Sequence, residues 1–157
     1  RKDFLVYPKI YNRKPLSKSI PKDYAEDYNE ACIVLGDSPK ASAALSRGCL
    51  QRIIRNELKI KKQTLDNEIE EVIKNKLLPS HLLENIDAVR NIGNFATHPI
   101  KNERTGEIVS VEPNEAEWNL EVLEGLFDFL FVQPAISKEK KEALNIKLKE
   151  AGKLEMR

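Results

Sequence analysis

Apolar side chains recur at helical spacing along nearly the whole chain, and this periodicity constrains the fold more than any other feature. Tyr24, Tyr28, Ala31, Cys32 and Leu35 fall at i, i+4, i+7, i+8 and i+11, one stripe on one helix face. Pro21 opens that helix and Gly36 closes it. Ser38-Pro39 is a second start, with a serine N-cap followed by proline at the first helical position. The second helix is predicted to run to about Lys59, with Ala41, Ala44, Leu45, Cys49, Leu50, Ile53, Ile54 and Leu58 as its apolar set. Thr64 is placed to cap a third helix carrying Leu65, Ile69, Val72 and Ile73. Pro79-Ser80 begins a fourth, with Leu82, Leu83, Ile86, Val89, Ile92 and Phe95 facing inward. Pro99 ends it, because the residue before a proline is pushed out of the helical region.

Beyond Pro99 the pattern changes. Residues 100–112 hold a turn signal around Asn102 to Gly106 and then Ile108-Val109-Ser110-Val111, a short hairpin or an ordered loop. Pro113-Asn114 leads into a fifth helix that ends near Val132. Trp118, Leu120, Val122, Leu123, Leu126, Phe127, Phe129, Leu130 and Phe131 make it apolar around most of its circumference, as suits a central helix or a partner interface. After Gln133-Pro134, Ser137 is expected to cap a final lysine-rich helix. The prediction is an all-α bundle of five to six helices. Its organisation is an extended arm or linker over 1–20, the bundle over 21–134, and a C-terminal helix or tail over 135–157.

Composition narrows the function classes. At 157 residues and 41% hydrophobic, the chain has the size and apolar content of one globular domain. No stretch approaches the ~18 consecutive apolar residues of a membrane span, and Pro8 interrupts the short apolar run at Phe4 to Tyr7, so no signal peptide is expected. Cys32 and Cys49 sit in apolar helical patterns and read as buried free thiols, which suits a cytoplasmic protein. With two cysteines and two histidines in no ligand-like spacing, neither a metal site nor a cofactor is expected. The chain begins at Arg1 without an initiator Met, which reads as a processed product or an excised piece with a further N-terminal module upstream.

The net charge of +1 says nothing of a nucleic-acid partner, but it averages unlike regions. From Lys40 to Lys62 the net is +6, and Arg52, Arg55, Lys59 and Lys62 fall close to one helical stripe that would track phosphates. Residues 103–124 carry a net of −6. Such opposition suits self-association as well as RNA binding.

One constellation carries chemistry. Arg90, Asn94 and His98 are spaced by four and form a polar stripe at the end of helix four, opposite Val89, Ile92 and Phe95. Asn94 lies within side-chain reach of both neighbours, and Glu30 is a candidate partner for the network. Gly93 costs ~1 kcal/mol in a helix interior relative to Ala, so something is expected to approach its backbone closely. Arg47, on a helix expected to pack nearby, is a candidate phosphate contact. A plainer role for His98 is to satisfy helix C-terminal carbonyls.

The string Arg90-x-x-Gly93-Asn94-x-x-x-His98-Pro99 resembles the HEPN-like domain of unknown function often fused to restriction-endonuclease subunits and zinc ribbons. Asp27-Tyr28-x-Glu30-Ala31, Ser38-Pro39-x-Ala41, Arg47-x-x-Leu50-Gln51 and Leu77-Leu78-Pro79 extend the resemblance over residues 18 to 132. It implies a helical bundle, usually a homodimer, in a superfamily rich in metal-independent ribonucleases. By that resemblance His98 would be general acid/base, Arg90 the phosphate clamp and Asn94 the orienter. Seven residues separate Arg90 from His98, where active members have four to six. The first expectation is therefore a module that binds RNA, a nucleotide or a partner protein in a prokaryotic nucleic-acid or defence system. A metal-independent endoribonuclease and a purely structural dimerisation domain are the alternatives.

Overall fold

The Ser38 hydroxyl accepts a hydrogen bond from the Ala41 amide at 3.1 Å, and the Thr64 hydroxyl accepts one from Asn67 at 3.3 Å. These two caps fix where helices begin, as the sequence predicts. The computed structural model describes residues 12–157. Over these, the chain forms α1 (Lys22–Leu35), α2 (Pro39–Asn56), α3 (Leu65–Lys74), α4 (Ser80–Thr97), α5 (Pro113–Phe127) and α6 (Gln133–Glu150). The expected all-α bundle is present. Gly36 closes α1 in right-handed helical geometry at φ −66°, so its value there is not a left-handed turn.

The second helix sits in the middle and packs against α1, α3, α4 and α5. Its Leu50, Ile53 and Ile54 meet Ile86 and Val89 of α4 and Leu120, Leu123 and Leu126 of α5 in the main core. Tyr28 meets Phe127 edge-on at 5.8 Å between ring centroids. Toward the N-terminal end of α2 the buried face is Ser42, Ala43 and Ser46, while Ala41, Ala44 and Leu45 are only half-buried. The stripe there is rotated from the one expected, because small residues let α4 and α5 come close over a second cluster of Ala43, Ile92, Ala96, Val111 and Ala116. Cys32 and Cys49 are buried free thiols.

The loop between α4 and α5 closes on itself. Lys101 and Ile108 form an isolated antiparallel bridge, and Gly106 turns the chain at φ 73°. This is the short hairpin the turn signal implied.

Two boundaries differ from expectation. The break at Gln133-Pro134 does not exist: α5 continues through a π-helical turn, Asp128–Val132, directly into α6, and the Gln133 amide bonds the Asp128 carbonyl. Pro134 has no amide to donate and its ring crowds the preceding turn, and widening that turn lets the helix pass through. Ser137 consequently lies inside α6 and caps nothing. Helix α2 stops at Asn56, short of Lys59, which adopts φ 58°.

The described part of the arm, residues 12–20, has no regular secondary structure but is tied down. Ile20 is buried, and the Arg13 guanidinium meets Glu124 of α5 at 2.5 Å. Tyr28 donates its hydroxyl to the same carboxylate, and burial together with that bond pushes its pKa up. Residues 1–11 of the expected arm lie outside the described residues. Among the described residues, α6 packs against no helix but the π turn it grows from, and it buries no side chain. Among the described residues, no helix is long and apolar enough to cross a membrane.

Candidate functional site

Helix α4 ends as His98 leaves helical geometry at φ −128°, its amide bonding the Asn94 carbonyl at 2.9 Å. His98 is thus the residue that follows the helix, one step off the polar stripe expected of it. Its exposed ring makes no bond to the described residues, so it does not cap carbonyls with its side chain. Arg90 and Asn94 stay on the helix.

The close approach expected at Gly93 is Arg47. A Cβ built on Gly93 would stand 2.5 Å from Arg47 Cδ and 2.6 Å from its Cβ. The aliphatic stem of Arg47 therefore crosses the α4 backbone where only glycine leaves room. Beyond that crossing, Arg47 Nε donates to Asn94 Oδ1 at 3.3 Å. Asn94 thus serves an arginine of α2, rather than bridging Arg90 and His98 as the spacing suggested.

Arg47, Arg90, Asn94 and His98 line one open recess of about 290 Å³, together with Thr64, Leu65 and Asp66 of the start of α3 and Ile100 after α4. Tertiary structure brings the motif residues to one place and adds α3, which spacing along α4 gave no sign of. The clue in the sequence is only that Thr64 begins a helix with acidic residues in its first turn.

Arg90 is not free in this recess. Its Nε donates to Asp87 Oδ1 at 2.7 Å and its Nη2 to Asp87 Oδ2 at 3.2 Å, a two-pronged pair on one helix. Its Nη1 meets Asp66 Oδ1 at 2.6 Å. Bonding to Asp87 holds the guanidinium further into its charged range, and the same bond lowers the Asp87 pKa. The expected partner Glu30 is not involved: it lies exposed on α1, and Asp87 and Asp66 take the place given to it.

The anticipated basic stripe does not form. Because α2 ends at Asn56, Lys59 and Lys62 leave the helix that would have aligned them with Arg52 and Arg55. Acidic neighbours then engage most of the set. Arg52 pairs with Asp27 at 2.5 Å and Asp23 at 3.4 Å while lying 5.7 Å over the Tyr24 ring. Arg55 meets Glu68 at 2.5 Å, and the Lys62 ammonium is 3.9 Å from Glu71. Lys59 is exposed. Of the five basic residues proposed for nucleic acid, Arg47 alone lines the recess.

Sequence spacing also missed Glu68. Its carboxylate is fully buried and accepts from Arg55 Nε, from Gln51 Nε2 at 3.0 Å and from the Lys62 amide at 3.1 Å. These bonds fasten α3 to α2 and so set where Asp66 and Thr64 stand beside α4. Among the described residues, no cluster of His, Cys, Asp and Glu is arranged to hold a metal ion.

A family model described as Domain of unknown function (DUF4145) matches residues 29–149. The chain belongs to that family. The DUF4145 span includes α2, α3 and α4, and therefore every residue that lines the recess. It also reaches into α6, past the boundary expected at residue 134. No curated protein and no solved structure matches this DUF4145 chain.

Proposed function

We propose that this DUF4145 chain is an HEPN-like binding module whose recess takes a phosphate group of RNA. The observation that best supports this is the meeting of Arg47 with Arg90, Asn94 and His98 in one open recess. Arg47 uses only Nε on Asn94, which leaves its terminal nitrogens for a ligand beside the exposed His98 ring. A guanidinium fork matches phosphate oxygens in geometry and charge. A recess of about 290 Å³ suits one phosphate group of a chain that runs past the surface, not a wholly enclosed nucleotide. The HEPN-like kinship, with its prokaryotic nucleic-acid or defence setting, rests on the motif resemblance.

Binding is favoured over cleavage by the state of Arg90. The residue that a ribonuclease would use to hold the transition-state phosphate has two of its guanidinium nitrogens, Nε and Nη2, taken by Asp87. Self-association belongs to the same reading. Phe129, Ile136, Leu144 and Ile146 are exposed along the π turn and α6, which among the described residues packs on no other helix, an apolar surface that a second copy would cover.

Fluorescence anisotropy with a short single-stranded RNA tests the proposal. Affinity is expected to fall as salt rises. Arg47→Met keeps the stem over Gly93 and removes the fork, and should weaken binding about tenfold. A flat salt response, or unchanged binding by Arg47→Met, would sink the reading. RNA cleavage in EDTA that leaves 2′,3′-cyclic ends and disappears in His98→Ala would replace binding with catalysis. For self-association, light scattering at high micromolar concentration should report twice the chain mass, and a monomeric mass contradicts it.

A further inference from the structure

The recess carries its own anion. Asp66 Oδ1 lies 2.6 Å from Arg90 Nη1, and both residues line the cavity that Arg47 and His98 also face. The two sides of this pair are unequally held. Arg90 is largely buried, with 21% of its side chain exposed, and is locked from the other side by Asp87. Asp66 is 66% exposed and, among the described residues, makes no other side-chain bond. Helix α3 is anchored independently through buried Glu68, so the Asp66 carboxylate can leave Arg90 without loosening the helix that carries it.

A carboxylate on Nη1 presents an oxygen where a phosphate oxygen would otherwise sit. An ion pair this exposed is weak, so it is open to exchange. Resting on the phosphate-binding reading above, we propose that Asp66 is an internal counter-anion that occupies the Arg90 end of the recess. An incoming RNA phosphate, first met by Arg47 and His98, exchanges with it at Nη1. The exchange breaks one charge-assisted hydrogen bond and forms another, with no covalent step. The device tunes affinity: only a ligand with enough anionic character to displace a carboxylate gains the second arginine.

The test is a double-mutant cycle in RNA affinity, using the full chain and the same single-stranded RNA. Asp66→Asn is expected to tighten binding about twofold to fivefold, because one guanidinium prong is released. It should also steepen the salt dependence by about 0.7 in log–log slope, the increment for one more phosphate contact on a single strand. In an Arg90→Gln background, Asp66→Asn should produce no gain. Asp66→Ser is expected to behave as Asp66→Asn does, and thermal melts verify that each variant is folded. Glu70→Gln, an exposed change on the same helix that does not line the recess of Arg47 and His98, reports the general effect of removing one negative charge.

A gain that persists in Arg90→Gln, or one no larger than that of Glu70→Gln, overturns the exchange. So does an Asp66→Asn variant that binds no better than wild type while Arg47→Met still weakens binding. If neither wild type nor Asp66→Asn binds RNA better than Arg47→Met does, the phosphate reading itself fails and the exchange falls with it.

Discussion

The stem of Arg47 lies across the backbone of Gly93 so closely that a methyl group on Gly93 would stand 2.5 Å from Arg47 Cδ. The contact welds α2 to α4 and aims the guanidinium at Asn94. Gly93→Ala gains ~1 kcal/mol of helix propensity but must displace Arg47, including its short-range Cβ. Overpacking of this kind costs ~1–3 kcal/mol, so net destabilisation of up to about 2 kcal/mol is expected in urea unfolding. RNA affinity should fall with it, as the fork loses its aim.

Glu68 is the anchor of α3. Removing one partner of a buried, hydrogen-bonded ion pair costs ~3–5 kcal/mol, and the partial exposure of Arg55 places Glu68→Ala near the lower end. Urea unfolding should show a loss of about 3 kcal/mol, whereas Asp66→Asn should change stability by less than about 1 kcal/mol. Equal losses from the two substitutions would contradict the division of labour between anchor and counter-anion.

Asn119 is fully buried on α5, with neither amide atom bonded to another of the described residues. An unsatisfied buried polar group costs ~1–3 kcal/mol, and leucine is close to it in shape and size. Asn119→Leu should therefore raise the unfolding free energy by about 1 kcal/mol. A clear loss of stability would mean that the amide has a partner such as a buried water.

Acid should release Arg90. Its bond to Asp87 lowers the folded-state pKa of that carboxyl below the unfolded value. The sign follows from linkage: the contribution to stability is fully present above the ordinary aspartate pKa and is lost as pH falls through the lowered one. Asp87→Asn should remove this share of the acid-induced loss, leaving a shallower decline of stability below about pH 4. Parallel decline in the two proteins would show that Asp87 does not contribute.

Much of the helical framework could be read from order along the chain. The stripe from Tyr24 to Leu35, the caps at Ser38 and Thr64, and the start at Pro79-Ser80 are local signals, each a few residues long. Gly93 was legible as a close approach, although the residue that fills the space was not. Where local signals misled, a neighbouring effect overrode them: Pro134 was absorbed by a π turn, and α2 ended before the basic residues meant to extend it.

What sequence alone determined, then, is which segments are helices, which faces are apolar, and that Arg90, Asn94 and His98 share one end of α4. Only tertiary structure decided the electrostatics of that end. Helical periodicity specifies neighbours three and four residues apart, whereas ion pairing depends on which helices are packed side by side. The place of α3 against α2 and α4, set by buried Glu68, puts Asp66 on Arg90. The crossing of α2 over Gly93 puts Arg47 on Asn94. Those two packings, and no spacing within the motif, leave one arginine facing the recess open-handed and the other held.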